Sequence, residues 1–543
     1  MTGHTPGEPP APHEQWPGVA HPWPAPPATD GHHAHSAPAG FGPPPPPFEQ
    51  RTVVDHRPAR RRWYTGRPAV IAAALAAVLL VGGAAAYLTL GRDKPTEPVA
   101  QGGNAPPGPS GSPSVDQGDG RGAGGGPDFD PNAGIRPGEA RVWVRDNQTQ
   151  VPSGTLQYGP WRVGDVVVKA MYKEVTGYAV ADGREKWKVS LQTPLCGAPQ
   201  APAATGRLVI GVRQSDSATA RCTDLQQVDL TTGTLGWKIT VPQENPYDTG
   251  LGFDMAIAGD TVALARSAVM SGFSVADGRK LFGTANTNGC YPTAFAGGGQ
   301  RLVVVRHCTD PKDPGGPGQD MVQEVDPATA SPRWSHQYDK SWRLGRVLTM
   351  DPLVVALSDK NRKVWGITAF AADGKVRSEG ELGFGVSGRC NGFGNAGDIQ
   401  GCYAAAADAD TLYLGAGRPG KSLGTDDTNQ VVAVDLNTGK ERWRTAEQPK
   451  GRTMWPLAVE NGRVVVYVAA GSGAAASVVS LAPADGASQP VLQSPAAAAG
   501  PQSALYPFSL RAGWAGGRVF VLNGSVGSPD TRKVSIALLS FGT

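Results

Sequence analysis

The sequence beyond residue 140 predicts an all-β fold, an eight-bladed β-propeller. Three observations predict it. A turn followed by a β-branched run recurs eight times, a Gly-containing hairpin ending on an aromatic recurs between those copies, and the final unit lacks one strand that the start of the region can supply. The spacing, roughly 40 to 60 residues, is the one expected of propeller blades.

The turn-and-run pattern begins at Gly164-Asp165-Val166-Val167-Val168 and Gly206-Arg207-Leu208-Val209-Ile210. It continues through Gly259-Asp260-Thr261-Val262, Gly299-Gln300-Arg301-Leu302-Val303 and a weaker Asp351-Pro352-Leu353-Val354-Val355. Ala409-Asp410-Thr411-Leu412, Asn461-Gly462-Arg463-Val464 and Gly516-Gly517-Arg518-Val519 complete the set. The hairpin pattern is clearest at Val434-Asp435-Leu436-Asn437-Thr438-Gly439-Lys440-Glu441-Arg442-Trp443 and at Asp229-Leu230-Thr231-Thr232-Gly233 followed by Trp237. Asp and Thr side chains bond the turn backbone and Gly accepts a positive φ, so the pattern signals a tight β-hairpin. The aromatics that follow or match these turns, Trp143, Trp187, Trp237, Phe282, Trp334 and Trp443, are expected to pack between neighbouring blades.

Seven such hairpins accompany eight turn-and-run units. The last unit ends on its third strand, and Ala140-Arg141-Val142-Trp143-Val144 reads as the missing fourth. Pairing the two ends would close the ring and remove two exposed strand edges. No long amphipathic helical period occurs here, which argues against a helical solenoid.

The region before the propeller divides into three. Residues 1–68 are Pro- and His-rich and are expected to be a disordered cytoplasmic tail with polyproline stretches. A cytoplasmic proline-binding partner is conceivable there, a solvated tail being the plainer reading; His32, His33 and His35 form a chance cluster on the same footing. Residues 69–90 carry no charge and as a helix would extend about 33 Å, enough to cross a bilayer. Arg57, Arg60, Arg61, Arg62 and Arg67 precede them, predicting a cytoplasmic N-terminus and an exported C-terminal domain. A signal peptide cleaved near residues 84–86 is the alternative; the long basic lead-in favours a retained anchor. Residues 91–139, rich in Gly, Pro and Ser, are expected to be a flexible linker. The propeller, residues 140–543, is then extracellular.

All six cysteines lie after the apolar segment. Their even number and their position suggest disulfides between neighbours: Cys196 with Cys222, Cys290 with Cys308, and Cys390 with Cys402. Reduced core cysteines are the alternative, and the lack of any CxxC argues against zinc. The formal net charge of +3 gives no pull toward nucleic acid.

The Asp229 and Asp435 motifs resemble the pyrroloquinoline-quinone-like (quinoprotein-like) propeller repeat, over nearly all of residues 140–543. With the anchor and an Ala/Gly/Pro-rich composition, the chain looks like a membrane-anchored actinobacterial member. The resemblance implies either a cofactor-dependent alcohol or glucose dehydrogenase or a propeller without cofactor, as in envelope assembly factors and sensor domains. Family dehydrogenases use adjacent cysteines over the quinone, ligands for Ca²⁺ and an Asp base; no two cysteines are adjacent here.

Other chemistry is weakly marked. Gly415-Ala416-Gly417-Arg418-Pro419-Gly420-Lys421-Ser422 matches the phosphate-loop pattern, but no helix pattern follows it. Only His307 and His336 occur after residue 90, and neither sits in a nucleophile motif. Asp408, Asp410, Asp426 and Asp427 could bind a cation but read as solvated turn carboxylates. Two loops, 309–320 and 383–400, interrupt the blade spacing most and are candidates for recognition. The expectation is therefore a membrane-tethered scaffold or sensor without catalytic, metal or cofactor-binding residues. It would bind an extracytoplasmic protein, glycan or small ligand. The alternative is a quinone-dependent dehydrogenase oxidising sugars or alcohols.

Overall fold

A computed structural model describes residues 129–244, 248, 253–266, 268–284, 289–313, 316–359, 361–362, 364–386, 399–417, 428–449, 451–471, 473–505, 510–529 and 535–543. The expected tail, the apolar segment 69–90 and the linker up to residue 128 lie outside these residues. Among the described residues no helix is long and apolar enough to cross a membrane.

Eight antiparallel sheets follow one another along the chain. Blades 1 to 7 span residues 155–190, 195–240, 254–284, 290–337, 342–382, 385–444 and 454–493. Blade 8 takes Arg511–Ala515, Arg518–Leu522 and Ile536–Gly542 from the end of the chain and Arg141–Asp146 from its beginning. Strand Arg141–Asp146 runs antiparallel to Ile536–Gly542, with Arg141 opposite Gly542 and Trp143 opposite Ser540. This pairing closes the ring. The described residues begin at 129, upstream of the expected propeller boundary at 140. Asn132 donates from its side-chain amide to the Val142 carbonyl (2.9 Å) and accepts from the Val142 N–H (2.8 Å), bracing the closing strand within the stretch expected to be linker.

Burial follows each strand's place in its blade. Second strands such as Val166–Met171 and Thr261–Arg266 are buried along their whole length, because both sheet faces press on neighbouring blades. They therefore read as continuous apolar runs. Fourth strands such as Leu235–Thr240 and Pro332–Gln337 alternate between exposed and half-buried positions.

The hairpins between third and fourth strands of blades 2, 4 and 6 share one construction. The Asp229 carboxylate accepts from the Thr231 and Thr232 N–H groups, and Gly233 adopts φ +76°. Asp435 does the same for Asn437 and Thr438 ahead of Gly439. Blade 4 uses Ala330 at φ +58° in that place, which explains its weaker sequence signature.

A hydrogen bond joins each neighbouring pair of blades. Trp161 Nε1 donates to the Pro199 carbonyl between blades 1 and 2 (3.1 Å), and Trp237 Nε1 to Val275 between 2 and 3 (3.1 Å). The Phe295 N–H reaches Asp254 between 3 and 4 (2.7 Å), and the Leu344 N–H reaches Asp320 between 4 and 5 (2.9 Å). Ser378 Oγ donates to Leu436 between 5 and 6 (2.7 Å), and the Met454 N–H to Asn429 between 6 and 7 (2.6 Å). Trp514 Nε1 meets Glu460 between 7 and 8 (2.8 Å), and Trp143 Nε1 meets Val180 between 8 and 1 (3.1 Å).

Candidate binding surfaces and the axial channel

Antiparallel connectivity sorts the loops onto two faces. Turns between first and second strands, and between third and fourth, share one face. In most blades the former are two residues long, as at Gly164-Asp165 and Asn461-Gly462. Connections between second and third strands, and between blades, share the other. They include 309–318 in blade 4, 445–453 between blades 6 and 7, and 494–510, which includes the short helix Ala499–Ala504; on the first face the connection 198–206 of blade 2 is comparably long.

The short-turn face is locked by aromatics. Trp187 of blade 1 lies over Gly233 of blade 2, where a Cβ would come within 2.5 Å of the ring. Trp143 covers Gly183, Trp237 covers Gly278, Trp334 covers Gly374, and Trp443 covers Gly486 in the same way. Phe282 packs in one cluster with Ala330 of the next blade. Each ring thus needs a turn residue without a bulky side chain in the following blade. Blade 7 has no such aromatic, and blade 8 has no turn for one to cover, since its third and fourth strands come from opposite ends of the chain.

Blade 5 is the exception within the ring. Ser378 stands opposite Ala369, the position that Trp443 holds opposite Ala433 in blade 6. Without an indole the backbones close up: a Cβ on Gly380 would meet the Gly439 carbonyl at 2.4 Å. Arg377 spans the same joint, donating to Asn437 (2.8 Å), the Ala409 carbonyl (2.6 Å) and Asp410. A cleft of about 320 Å³ opens beside it, lined by Glu379, Leu382, Phe384, Thr438, Lys440 and Glu441 among others.

The long-loop face carries four of the cysteines. Cys196 is bonded to Cys222 and Cys290 to Cys308. Cys402 is also disulfide-bonded, while its expected partner Cys390 lies outside the described residues. On the same face Glu174 accepts hydrogen bonds from Thr149 (2.7 Å) and Thr176 (2.8 Å) and pairs with Lys188 (3.1 Å) and the buried Lys169 (3.6 Å). Burial opposes ionisation of Glu174, but these partners overcome it and bring its pKa down to about 2. Burial pulls Lys169 down to about 8 despite the Glu174 charge. Thr149 belongs to the segment joining the closing strand to blade 1, so this network ties the closure together.

His307 shares Asp320 with the next blade: one carboxylate oxygen faces His307 Nδ1 (2.8 Å) and the other accepts the Leu344 N–H (2.9 Å). The pair is thereby part of an interblade joint. Gly415 and Gly417 of the phosphate-loop-like stretch lie inside strand Thr411–Gly417, and the Gly415 N–H is spent on the Ala404 carbonyl. Residues 418–427, with Asp426 and Asp427, lie outside the described residues. Asp408 is a turn residue that accepts from the Asp410 and Thr411 N–H groups and from Tyr413 Oη.

The axial channel holds the least expected feature. The first strand of blade 6 is broken into Gly385–Val386 and Ala405–Ala407. Between them, residues 399–403 run into the axis rather than over the surface. Gln400 bonds Gly297 of blade 4 through both side-chain groups (2.8 and 2.9 Å), and the Ile399 carbonyl accepts from Val347 of blade 5. Tyr403 Oη donates to Gln200 of blade 2 (2.6 Å), on the opposite side of the ring. Arg511 of blade 8 lies over the rings of Tyr403 and of Tyr158 in blade 1. The sequence holds no signal for this cluster, because partners such as Gln200 and Tyr403 are 203 positions apart and each sits in an unremarkable context.

Among the described residues no group of three His, Cys, Asp or Glu side chains could hold a metal ion; Cys196–Cys222 joins the first and third strands of blade 2, and Cys290–Cys308 the first two strands of blade 4.

The repeated blades, their Asp-Gly turns and the aromatic joints define an eight-bladed β-propeller. Residues 133–289, which span the closing strand and blades 1 to 3, match the family described as outer membrane protein assembly factor BamB. No curated protein matches the chain. Similar solved structures include BamB from Moraxella catarrhalis, 16% identical, covering 73% of this chain and 99% of that one with a TM-score of 0.38. They also include a quinohemoprotein alcohol dehydrogenase from Comamonas testosteroni, 11% identical, covering 75% and 76% with a TM-score of 0.43. A europium-containing methanol dehydrogenase is 10% identical, covering 74% and 93% with a TM-score of 0.42.

Proposed function

We propose that the chain is a membrane-tethered extracytoplasmic scaffold whose long-loop face binds another envelope component, a protein in the first instance. One observation carries this reading. The connections 309–318, 445–453 and 494–510 and the disulfides Cys196–Cys222 and Cys290–Cys308 belong to one side of a ring whose other side is locked mostly by short turns and by indoles. Such a scaffold holds variable loops on a rigid frame, the arrangement by which loops carry recognition. The match to an assembly-factor family over blades 1 to 3 supports a binding role. The apolar stretch 69–90 and its arginines support the tether.

The test has two parts. Proximity labelling from the tethered full-length protein should give a defined set of neighbours. That set should be lost when residues 309–318 and 445–449 are replaced by Gly/Ser and retained when the exposed Lys186 and Lys375 of the short-turn side are changed to Gln. An unchanged set after loop replacement would refute the assignment. Dye reduction with sugars or alcohols on adding the quinone and Ca²⁺ would establish an oxidoreductase in its place.

A further inference from the structure

We propose that Arg511 forms an anion subsite in the axial channel that takes a small carboxylate. Arg511 opens the innermost strand of blade 8 and is 5% exposed. Its guanidinium carbon lies 5.6 Å from the centre of the Tyr158 ring and 5.9 Å from that of Tyr403. Among the described residues these ring contacts are its only polar interactions: it has no ion pair and no hydrogen bond.

The other buried arginines behave differently. Arg266 pairs with Asp248 and Glu244, and Arg306 donates to Gln323. Arg145 donates to the Gly183 carbonyl and Arg518 to those of Gly542 and Thr543. Arg306 and Arg518 each also have a side-chain nitrogen sealed from solvent without a hydrogen-bond partner, whereas none of the Arg511 nitrogens is sealed. Its donors therefore face open space in the channel.

A cation withdrawn from water without a partner is costly, and ring faces offset that cost only in part. A planar carboxylate laid against the guanidinium edge would satisfy two donors at once and neutralise one charge. One guanidinium balances one negative charge, which suits a carboxylate better than a phosphate dianion. The neighbouring tyrosine rings favour a ligand with an apolar or aromatic body. The subsite is independent of the loop-face reading, since it lies inside the ring and would fill with or without a macromolecular partner.

The experiment uses the full chain in detergent at constant ionic strength, titrated with benzoate and succinate and, separately, with inorganic phosphate and sulfate. Heat of binding and the melting temperature are both read. The expected result is saturable one-site binding of a carboxylate that weakens about tenfold or more in Arg511→Gln, with a smaller loss in Arg511→Lys, which keeps the charge and loses the fork. Unliganded Arg511→Gln should melt no lower than the wild type, because it removes an uncompensated charge. The proposal is overturned if no carboxylate saturates the wild type, if Arg511→Gln binds equally well, or if phosphate or sulfate binds as tightly. It is also overturned if both variants melt several degrees lower without ligand, which would make Arg511 a structural strut.

Discussion

The indole of Trp143 lies on Gly183, so close that a Cβ there would fall 2.6 Å from the ring. Trp143 belongs to the first strand of the propeller and Gly183 to the first hairpin turn, yet the contact is made across the closing joint between blades 8 and 1. Arg145 adds a hydrogen bond to the Gly183 carbonyl (2.6 Å).

Truncating that indole should open the closing joint of the ring. Trp143→Ala removes a ring that is 2% exposed and is expected to cost about 3–5 kcal/mol by chemical denaturation. Gly183→Ala should also destabilise, since Gly183 holds φ +70° beneath the ring. Deleting residues 140–146 should cost more than either substitution, and wild-type stability in that deletion would contradict closure.

The Glu174 network predicts a sensitivity to acid. Its carboxyl has a folded-state pKa of about 2, below the ordinary 4.5, so the stability it contributes is present above pH 4.5 and is lost as pH falls toward 2. Stability measured by denaturant across this range should decline in the wild type and decline less in Glu174→Gln. At neutral pH Glu174→Gln leaves the buried Lys169 without its counter-charge and should cost about 3–5 kcal/mol. Adding Lys169→Met to that variant should recover part of the loss.

Reduction should soften the long-loop face. The disulfides Cys196 to Cys222 and Cys290 to Cys308 close loops of 26 and 18 residues. Each is expected to contribute about 3 kcal/mol through loop closure. Melting in the presence of a strong reductant should fall by several degrees; an unchanged transition under verified reduction would remove them from the stability of the fold.

The joint between blades 5 and 6 predicts the opposite of repeat consensus. Restoring the aromatic with Ser378→Trp should destabilise by about 1–3 kcal/mol, because Gly380 and Gly439 already occupy the space an indole would need. Ser378→Ala should cost about 1 kcal/mol for the lost bond to Leu436. Thermal melts of the two variants check both.

Where a feature depended on local pattern, the residues declared it. Asp229 and Asp435 announce their turns because each carboxylate binds amides two and three residues ahead. The second strands announce themselves because burial on both faces demands apolar residues at every position. The pairs Cys196 with Cys222 and Cys290 with Cys308 were legible because each joins strands of one blade, so sequence proximity tracked spatial proximity. The axial cluster was not legible. Tyr158, Gln200, Tyr403 and Arg511 come from four blades, and no spacing rule relates them. The loop flagged at 383–400 was recognised as an insertion, but its length gave no indication that the residues following it would turn inward.

By itself the sequence determined the blade count, the turns, the aromatic joints and the closing strand, because each is set by contacts along the chain or by a repeat that copies itself. Only the tertiary structure decided what occupies the axis, and that Arg511 stands there between two tyrosines. The physical reason is that the channel exists only once eight blades have met around it, so its contacts are between residues that nothing in their local context relates.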